Sequence, residues 1–131
     1  MTTKRRRRKR GRYHRGVHVS PKAGECRYRS GWESVYMVHL DADPDVVAWS
    51  YEKTPVPYVS NVRTGRTRTY YPDFYVEYVD GRRMLVEVKP KRKTTQATVM
   101  KKAKAAREWC EPRGLTYVIL TEVDLRSIGL L

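Results

Sequence analysis

Cysteine is scarce. The 131-residue chain has two, Cys26 and Cys110. They lie far apart and match neither a zinc-site spacing nor a redox motif, so the sequence points to no such centre. A reducing cytoplasm with Cys110 in the core is the expectation; a Cys26–Cys110 disulfide is the alternative. Long apolar runs are missing too. None approaches the roughly 20 residues that cross a bilayer, and no apolar stretch follows the basic start as in a secretory signal. Acidic residues are few, 14 against 28 Lys and Arg, for a net charge of +14. No zinc finger, base-reading helix or target-recognition insertion is recognisable, so nothing in the chain points to specificity toward any nucleic-acid sequence.

The charge is uneven. Residues 1–30 hold 12 basic residues and one acidic; residues 31–131 hold 16 and 13. Lys4, Arg5, Arg6, Arg7, Arg8, Lys9 and Arg10 form an unbroken run. Its self-repulsion opposes a packed core, so residues 1–26 are expected to be a disordered basic arm. Such an arm suits nucleic-acid phosphates, a contact that is sequence-independent and salt-sensitive; an acidic protein surface is the other candidate. His14 and His18 show no ligand partner and receive no metal role. Residues 27–131 are enough for one domain with a modest core.

Within that domain Ser30-x-x-Glu33 reads as a helix N-terminus, with Glu33 capping the Ser30 amide. Trp32, Val35, Tyr36, His39 and Leu40 share a helical face, and Pro44 ends it. Val46 to Glu52 reads as a strand centred on Trp49. Pro55 to Ser60 continues extended, and Asn61 to Arg68 is a polar turn. Arg66 and Arg68 there are either phosphate contacts or ordinary loop cations. Lys91, Arg92 and Lys93 form a second basic cluster that would position phosphates. Thr94 or Thr95 caps a helix running to about Glu111, with Val99, Met100, Ala103, Ala106 and Cys110 as its apolar stripe. Leu115 to Leu120 reads as a buried, central strand and Glu122 to Ile128 as a last helix. The order predicts an α/β fold, a mixed sheet flanked by helices.

The most informative stretch is Tyr70 to Pro90, Y-Y-P-D-F-Y-V-E-Y-V-D-G-R-R-M-L-V-E-V-K-P. Two alternating segments flank Asp80-Gly81, which predicts a β-hairpin. An odd loop, Asp80 to Arg82, puts Phe74, Val76, Tyr78, Met84, Val86 and Val88 on one face. Asp73, Tyr75, Glu77, Leu85, Glu87 and Lys89 take the other. An even loop would bury Glu87 and Lys89 beside Phe74 and Val76, a heavy cost for unpaired charges. In the odd register Asp73 faces Lys89, with Glu87 one pleat along. Two carboxylates and an ammonium then converge. Mg²⁺ binds through such oxygens together with water and substrate phosphate, and Lys89 could stabilise charge on a phosphate. A solvated face of alternating charge is the other reading of Glu87 and Lys89.

Pro72-Asp73 followed by Glu87-Val88-Lys89 resembles the P-D…(D/E)-x-K signature of the restriction-endonuclease-like nucleases. Gly31-Trp32-Glu33, Val47 to Glu52, Pro57-Tyr58, Tyr70 to Phe74, Glu87 to Pro90 and Val118 to Glu122 extend the match. Their order is similar to that of the small phage head-completion nucleases and of the N-terminal catalytic domain of Tn7-type transposon endonucleases. The resemblance spans residues 27 to 125. A junction-resolving phage endonuclease shares the elements at Ser30, Gly31 and Glu33, at Pro57-Tyr58 and at Pro72 to Phe74.

The resemblance implies a metal-dependent DNA endonuclease of restriction-endonuclease-like fold. Asp73 would be the central ligand of Mg²⁺ or Mn²⁺, Glu87 the second, and the Val88 carbonyl a third oxygen. Lys89 would orient the attacking water, and Glu33 would be a further ligand or a water-orienting carboxylate. A phage-encoded protein of this kind would act in the host cytoplasm or the virion, beside portal or head–tail connector proteins. Three alternatives stay open: a structural head-completion protein with little cleavage, a nuclease subunit of a transposition complex, and a homodimeric junction resolvase.

Overall fold

The computed structural model describes residues 15–131. Its strands are β1 (Gly16–Ser20), β2 (Gly24–Tyr28), β3 (Val46–Tyr51), β4 (Val56–Asn61), β5 (Arg66–Tyr70), β6 (Phe74–Tyr78), β7 (Arg83–Val88) and β8 (Thr116–Leu120). The helices are α1 (Gly31–Ala42), α2 (Ala97–Cys110) and α3 (Glu122–Ser127). The central sheet runs β3-β6-β7-β8. Its first three strands are antiparallel, and β8 lies parallel to β7. The predicted mixed sheet flanked by helices is the fold that forms.

Alternation along β6 and β7 sorts two cores, one per face. Phe74, Val76, Val86 and Val88 meet Tyr36, Met37 and Leu40 of α1 and Leu125 of α3. Leu85, on the opposite face, meets Ala103, Ala106 and Cys110 of α2 together with Val56 and Tyr58 of β4. Cys26 belongs to the first core and Cys110 to the second, both as free thiols, so the disulfide alternative falls away.

Local chemistry explains the ends. The Ser30 hydroxyl accepts the Glu33 amide at 3.1 Å, and Asp43 turns extended before Pro44. The predicted cap of α2 is displaced. The Thr94 hydroxyl bonds the Lys91 carbonyl at 2.7 Å and closes a 3-10 turn over Lys91–Lys93, so the helix starts after Gln96. Met100, expected on the buried stripe, is 57% exposed. Past α2, Gly114 adopts φ +69 and turns the chain into β8. β8 is an edge strand, not the central one that its apolar run suggests.

The hairpin between β6 and β7 has an odd loop, and its faces divide as predicted. Its register differs by one residue on each strand. Phe74 faces Val86, Val76 faces Met84 and Glu77 faces Arg83. The loop is Val79 to Gly81: Gly81 N–H donates to the Tyr78 carbonyl at 2.9 Å, Tyr78 N–H to the Arg82 carbonyl at 2.8 Å, and Gly81 takes φ +90. A three-residue loop needs its left-handed residue last, and Gly81 is the residue that takes it.

Two further hairpins form, and of these only the turn of one, within Asn61 to Arg68, was read from the sequence. β5 pairs with β4 as a separate two-stranded sheet between β3 and β6 in sequence. β1 and β2 occupy residues 16–28, most of which were expected in the basic arm. Asp41 of α1 staples that hairpin down. Its carboxylate accepts the Ser20 hydroxyl at 2.5 Å and the Trp49 indole N–H at 2.9 Å, and lies 2.6 Å from His18 Nε2. Lys22 Nζ donates to the carbonyls of Leu40 and Asp43 at the end of α1, where the helix dipole favours a cation.

Candidate active site

Asp73 immediately precedes β6, and Glu87 lies on β7. With Phe74 opposite Val86, the next position sets Asp73 opposite Glu87. The predicted partner, Lys89, is displaced because Gly81 is the last residue of the loop. The Asp73 amide donates to Glu87 Oε1 at 3.3 Å, and the Val88 amide donates to Asp73 Oδ2 at 2.8 Å. Lys89 Nζ lies 3.4 Å from Glu87 Oε2. Asp73 is 5% exposed and Glu87 8%. Asp73, Glu87, Lys89 and the Val88 backbone are therefore brought together.

Glu33 is brought close but stays separate. It is buried, and its Oε1 accepts the Arg29 amide at 2.8 Å and the Tyr51 hydroxyl at 2.9 Å. The predicted cap on the Ser30 amide has moved one residue upstream. Among the described residues no three Asp, Glu, His or Cys side chains form a ready ligand cage, so the expected meeting of three carboxylates reduces to a pair with Glu33 beside it.

The electrostatics are unfavourable as they stand. Burial pushes the Asp73 carboxyl well above its ordinary range, and the charges of Glu87 and Glu33 add to this; the Val88 amide and Lys89 oppose it. Two buried carboxylates side by side, with one ammonium 3.4 Å from one of them, repel each other. The donors are hard oxygens on two strands. A divalent cation of the Mg²⁺ class takes such oxygens, often only one or two carboxylates plus water and phosphate. The residues present fit that ion, and its charge would reverse the sign of the problem at Asp73.

Two tyrosines that sequence reasoning missed hold these carboxylates. The Tyr70 hydroxyl donates to Glu87 Oε1 at 2.7 Å and lies 2.9 Å from the Tyr117 hydroxyl on β8. Burial, then the Glu87 charge, raises the Tyr70 phenol far above its usual value, so it stays a neutral donor. Tyr51 does the same for Glu33. A tyrosine on a strand reads simply as packing, and nothing local marks these two. Arg29 was also missed. It pairs with Glu52, which has φ +52 and donates its amide to the Asp73 carbonyl at 2.9 Å. Glu52 is the lone non-glycine residue of positive φ among the described residues.

The predicted phosphate contacts are scattered. Lys91 and Arg92 are exposed and Lys93 half-buried on the turn that follows Pro90, close to the site. Arg66 and Arg68 lie on β5, whose last residue is Tyr70. Lys4 to Arg10 fall outside the described residues.

Residues 43–122 match the family described as TnsA-like endonuclease N terminal. The chain is also 32% identical over 124 residues to the head completion nuclease of Enterobacteria phage T4, a match covering 78% of this chain and 82% of the relative. The matched span contains the Asp73–Glu87 pair and every strand of the central sheet. With that span and that identity, the chain belongs to the TnsA-like N-terminal endonuclease family.

Proposed function

We propose that this protein is a divalent-metal-dependent endonuclease that hydrolyses DNA during the completion of phage heads. The observation that carries the chemistry is Asp73 beside Glu87, its amide on Glu87 Oε1 and its carboxylate on the Val88 amide, with Lys89 on the second oxygen of Glu87. Asp73, Glu87 and the Val88 carbonyl would hold Mg²⁺ or Mn²⁺, with Glu33 in reach of a second ion or a water. The ion, when bound, activates water and neutralises charge on the phosphate. Tyr70 occupies Glu87 Oε1 and so fixes the direction of Oε2. Lys89 lends its ammonium to the attacking water or to the developing phosphate charge. Lys91, Arg92, Lys93, Arg66, Arg68 and the run from Lys4 to Arg10 hold backbone phosphates, which position the strand without reading it. The role in head completion follows the name of the T4 relative and brings portal or connector proteins as partners, with the host cytoplasm or the virion as the place of action. Symmetric cutting of both strands would engage a second copy.

The test is incubation of supercoiled plasmid, a four-way DNA junction and an RNA of matching sequence with Mg²⁺, Mn²⁺ or EDTA. Metal-dependent nicking confined to DNA is expected. Cleavage that persists in EDTA contradicts the metal. Salt-sensitive DNA binding with no cleavage in either metal favours the structural head-completion role.

A further inference from the structure

The β4–β5 hairpin is an excursion. β3 and β6 pair directly in the central sheet, and the hairpin leaves that sheet between them to pack on α2. Between hairpin and helix lies a cleft of about 340 Å³ lined by Tyr58, Ser60, Asn61, Arg66, Arg68, Thr98 and Lys101. The lining holds three cations, hydroxyl and amide donors, and no carboxylate. None of Arg66, Arg68 and Lys101 pairs with an acid among the described residues. Lys102 is not in that lining; its Nζ lies 5.9 Å from the Tyr58 ring centroid and 5.5 Å from that of Tyr70. Lys101 Nζ donates to the Ser60 carbonyl at 3.4 Å, and cations with no acid partner concentrated in a polar concavity favour an anion.

The cleft and the Asp73–Glu87 site share a strand. Alternation puts Arg66, Arg68 and Tyr70 on one face of β5, and Tyr70 ends on Glu87. At about 3.3 Å per residue, Arg68 and Arg66 stand about 7 and 13 Å from Tyr70. A DNA strand carries one phosphate about every 3.4 Å of its axis. Arg68 and Arg66 therefore stand progressively further along the strand from the residue that touches Glu87, as contacts to phosphates away from the reacting one require.

We propose that this cleft is a second phosphate-binding subsite, which takes the backbone of the bound nucleic-acid strand away from the reacting phosphate. This rests on the nuclease reading of the Asp73–Glu87 site. The subsite is built on an element outside the central sheet, so it sets where along the strand the substrate sits, while Tyr70 at the end of β5 ties that position to Glu87. Internal phosphodiesters and a free terminal phosphate are the two sources of that ligand.

The test reads binding, not cutting. Fluorescence anisotropy of a short duplex, with and without 5′-phosphates, is measured in EDTA over a range of salt for the full chain. The Arg66→Gln/Arg68→Gln double variant and Lys101→Gln run beside wild type. Arg27→Gln/Arg126→Gln, exposed cations elsewhere, is the charge-matched control, and thermal unfolding checks that each variant folds. The double variant is expected to bind more weakly, with the slope of log affinity against log salt about two units shallower, and the control to match wild type. Loss with both duplexes assigns the cleft to internal phosphates; loss only with 5′-phosphorylated ends assigns it to a terminal one. Cleft variants that bind like wild type, or a control that loses as much, overturn the subsite. Failure of the nuclease reading looks different: wild type leaves plasmid uncut in every metal while the cleft variants still lose binding.

Discussion

Asp73 is the residue on which the account turns, and its burial sets an experiment. Its folded-state carboxyl titrates well above the ordinary value of 3.8. A raised acid destabilises the folded state once pH exceeds the unfolded value, and the penalty grows until pH passes the folded one. Asn keeps the carbonyl that accepts the Val88 amide but cannot ionise. In EDTA, Asp73→Asn should therefore melt higher than wild type at pH 7, by about 0.5–2 kcal/mol in stability, and the gain should vanish near pH 4. Thermal unfolding across pH reads this; equal melting of the two proteins at pH 7 would show no stored repulsion. Tyr70 makes a second case. Tyr70→Phe leaves Glu87 Oε1 and the Tyr117 hydroxyl short of a partner, at a cost of about 1–3 kcal/mol. Loss of a group that orients a ligand lowers metal affinity or rate about 10- to 100-fold. Mn²⁺ titration and nicking rates check it, and wild-type values in both would make Tyr70 a packing residue only.

At the scale of elements, the β6–β7 hairpin shows what the sequence carries and what it withholds. Asp73, Glu87 and Lys89 were legible, because alternation and burial assign faces. The pairing was not, because faces repeat every second residue while register depends on where a positive φ falls. β5, R-T-R-T-Y, has no apolar alternation and is exposed apart from Tyr70, so it read as loop. The β1–β2 hairpin was hidden by the basic density around it and by a polar anchor, Asp41, that lies 21 residues from Ser20 and 23 from His18. Burial alone would raise the Asp41 carboxyl, but hydrogen bonds from Ser20, His18 and Trp49 outweigh it and hold the acid below its usual range. A depressed acid stabilises the fold above its unfolded value, and the benefit disappears as pH falls through the folded value. Asp41→Ala should destabilise by about 1–3 kcal/mol at pH 7 and by less below pH 4. Hydrogen exchange should show the loss concentrated in residues 16–28; protection unchanged there would mean that packing alone holds the hairpin. Gly81→Ala should cost about 1 kcal/mol, because Ala resists φ +90, as chemical denaturation would show.

For the whole molecule, charge is divided unevenly: residues 15–131 hold 20 Lys and Arg against 14 Asp and Glu. Residues 1–14 carry eight Lys and Arg and no acid. Deleting them should flatten the salt dependence of DNA binding by up to about seven units of log–log slope while leaving the melting temperature of the remainder in place. An unchanged slope would send the basic run to a protein partner instead. The fold class was readable from the order of elements. The edge position of β8 was not, since an apolar run looks the same whether a strand lies inside a sheet or at its rim under a helix. The central claim, that the opposed Asp73–Glu87 pair cuts DNA, has one most direct measurement: the initial rate of plasmid nicking in Mn²⁺ by Asp73→Asn, a variant expected to fold at least as stably as wild type. The account predicts a rate no higher than that of wild type in EDTA. Nicking by Asp73→Asn at the wild-type rate would contradict it and place the chemistry elsewhere on the molecule.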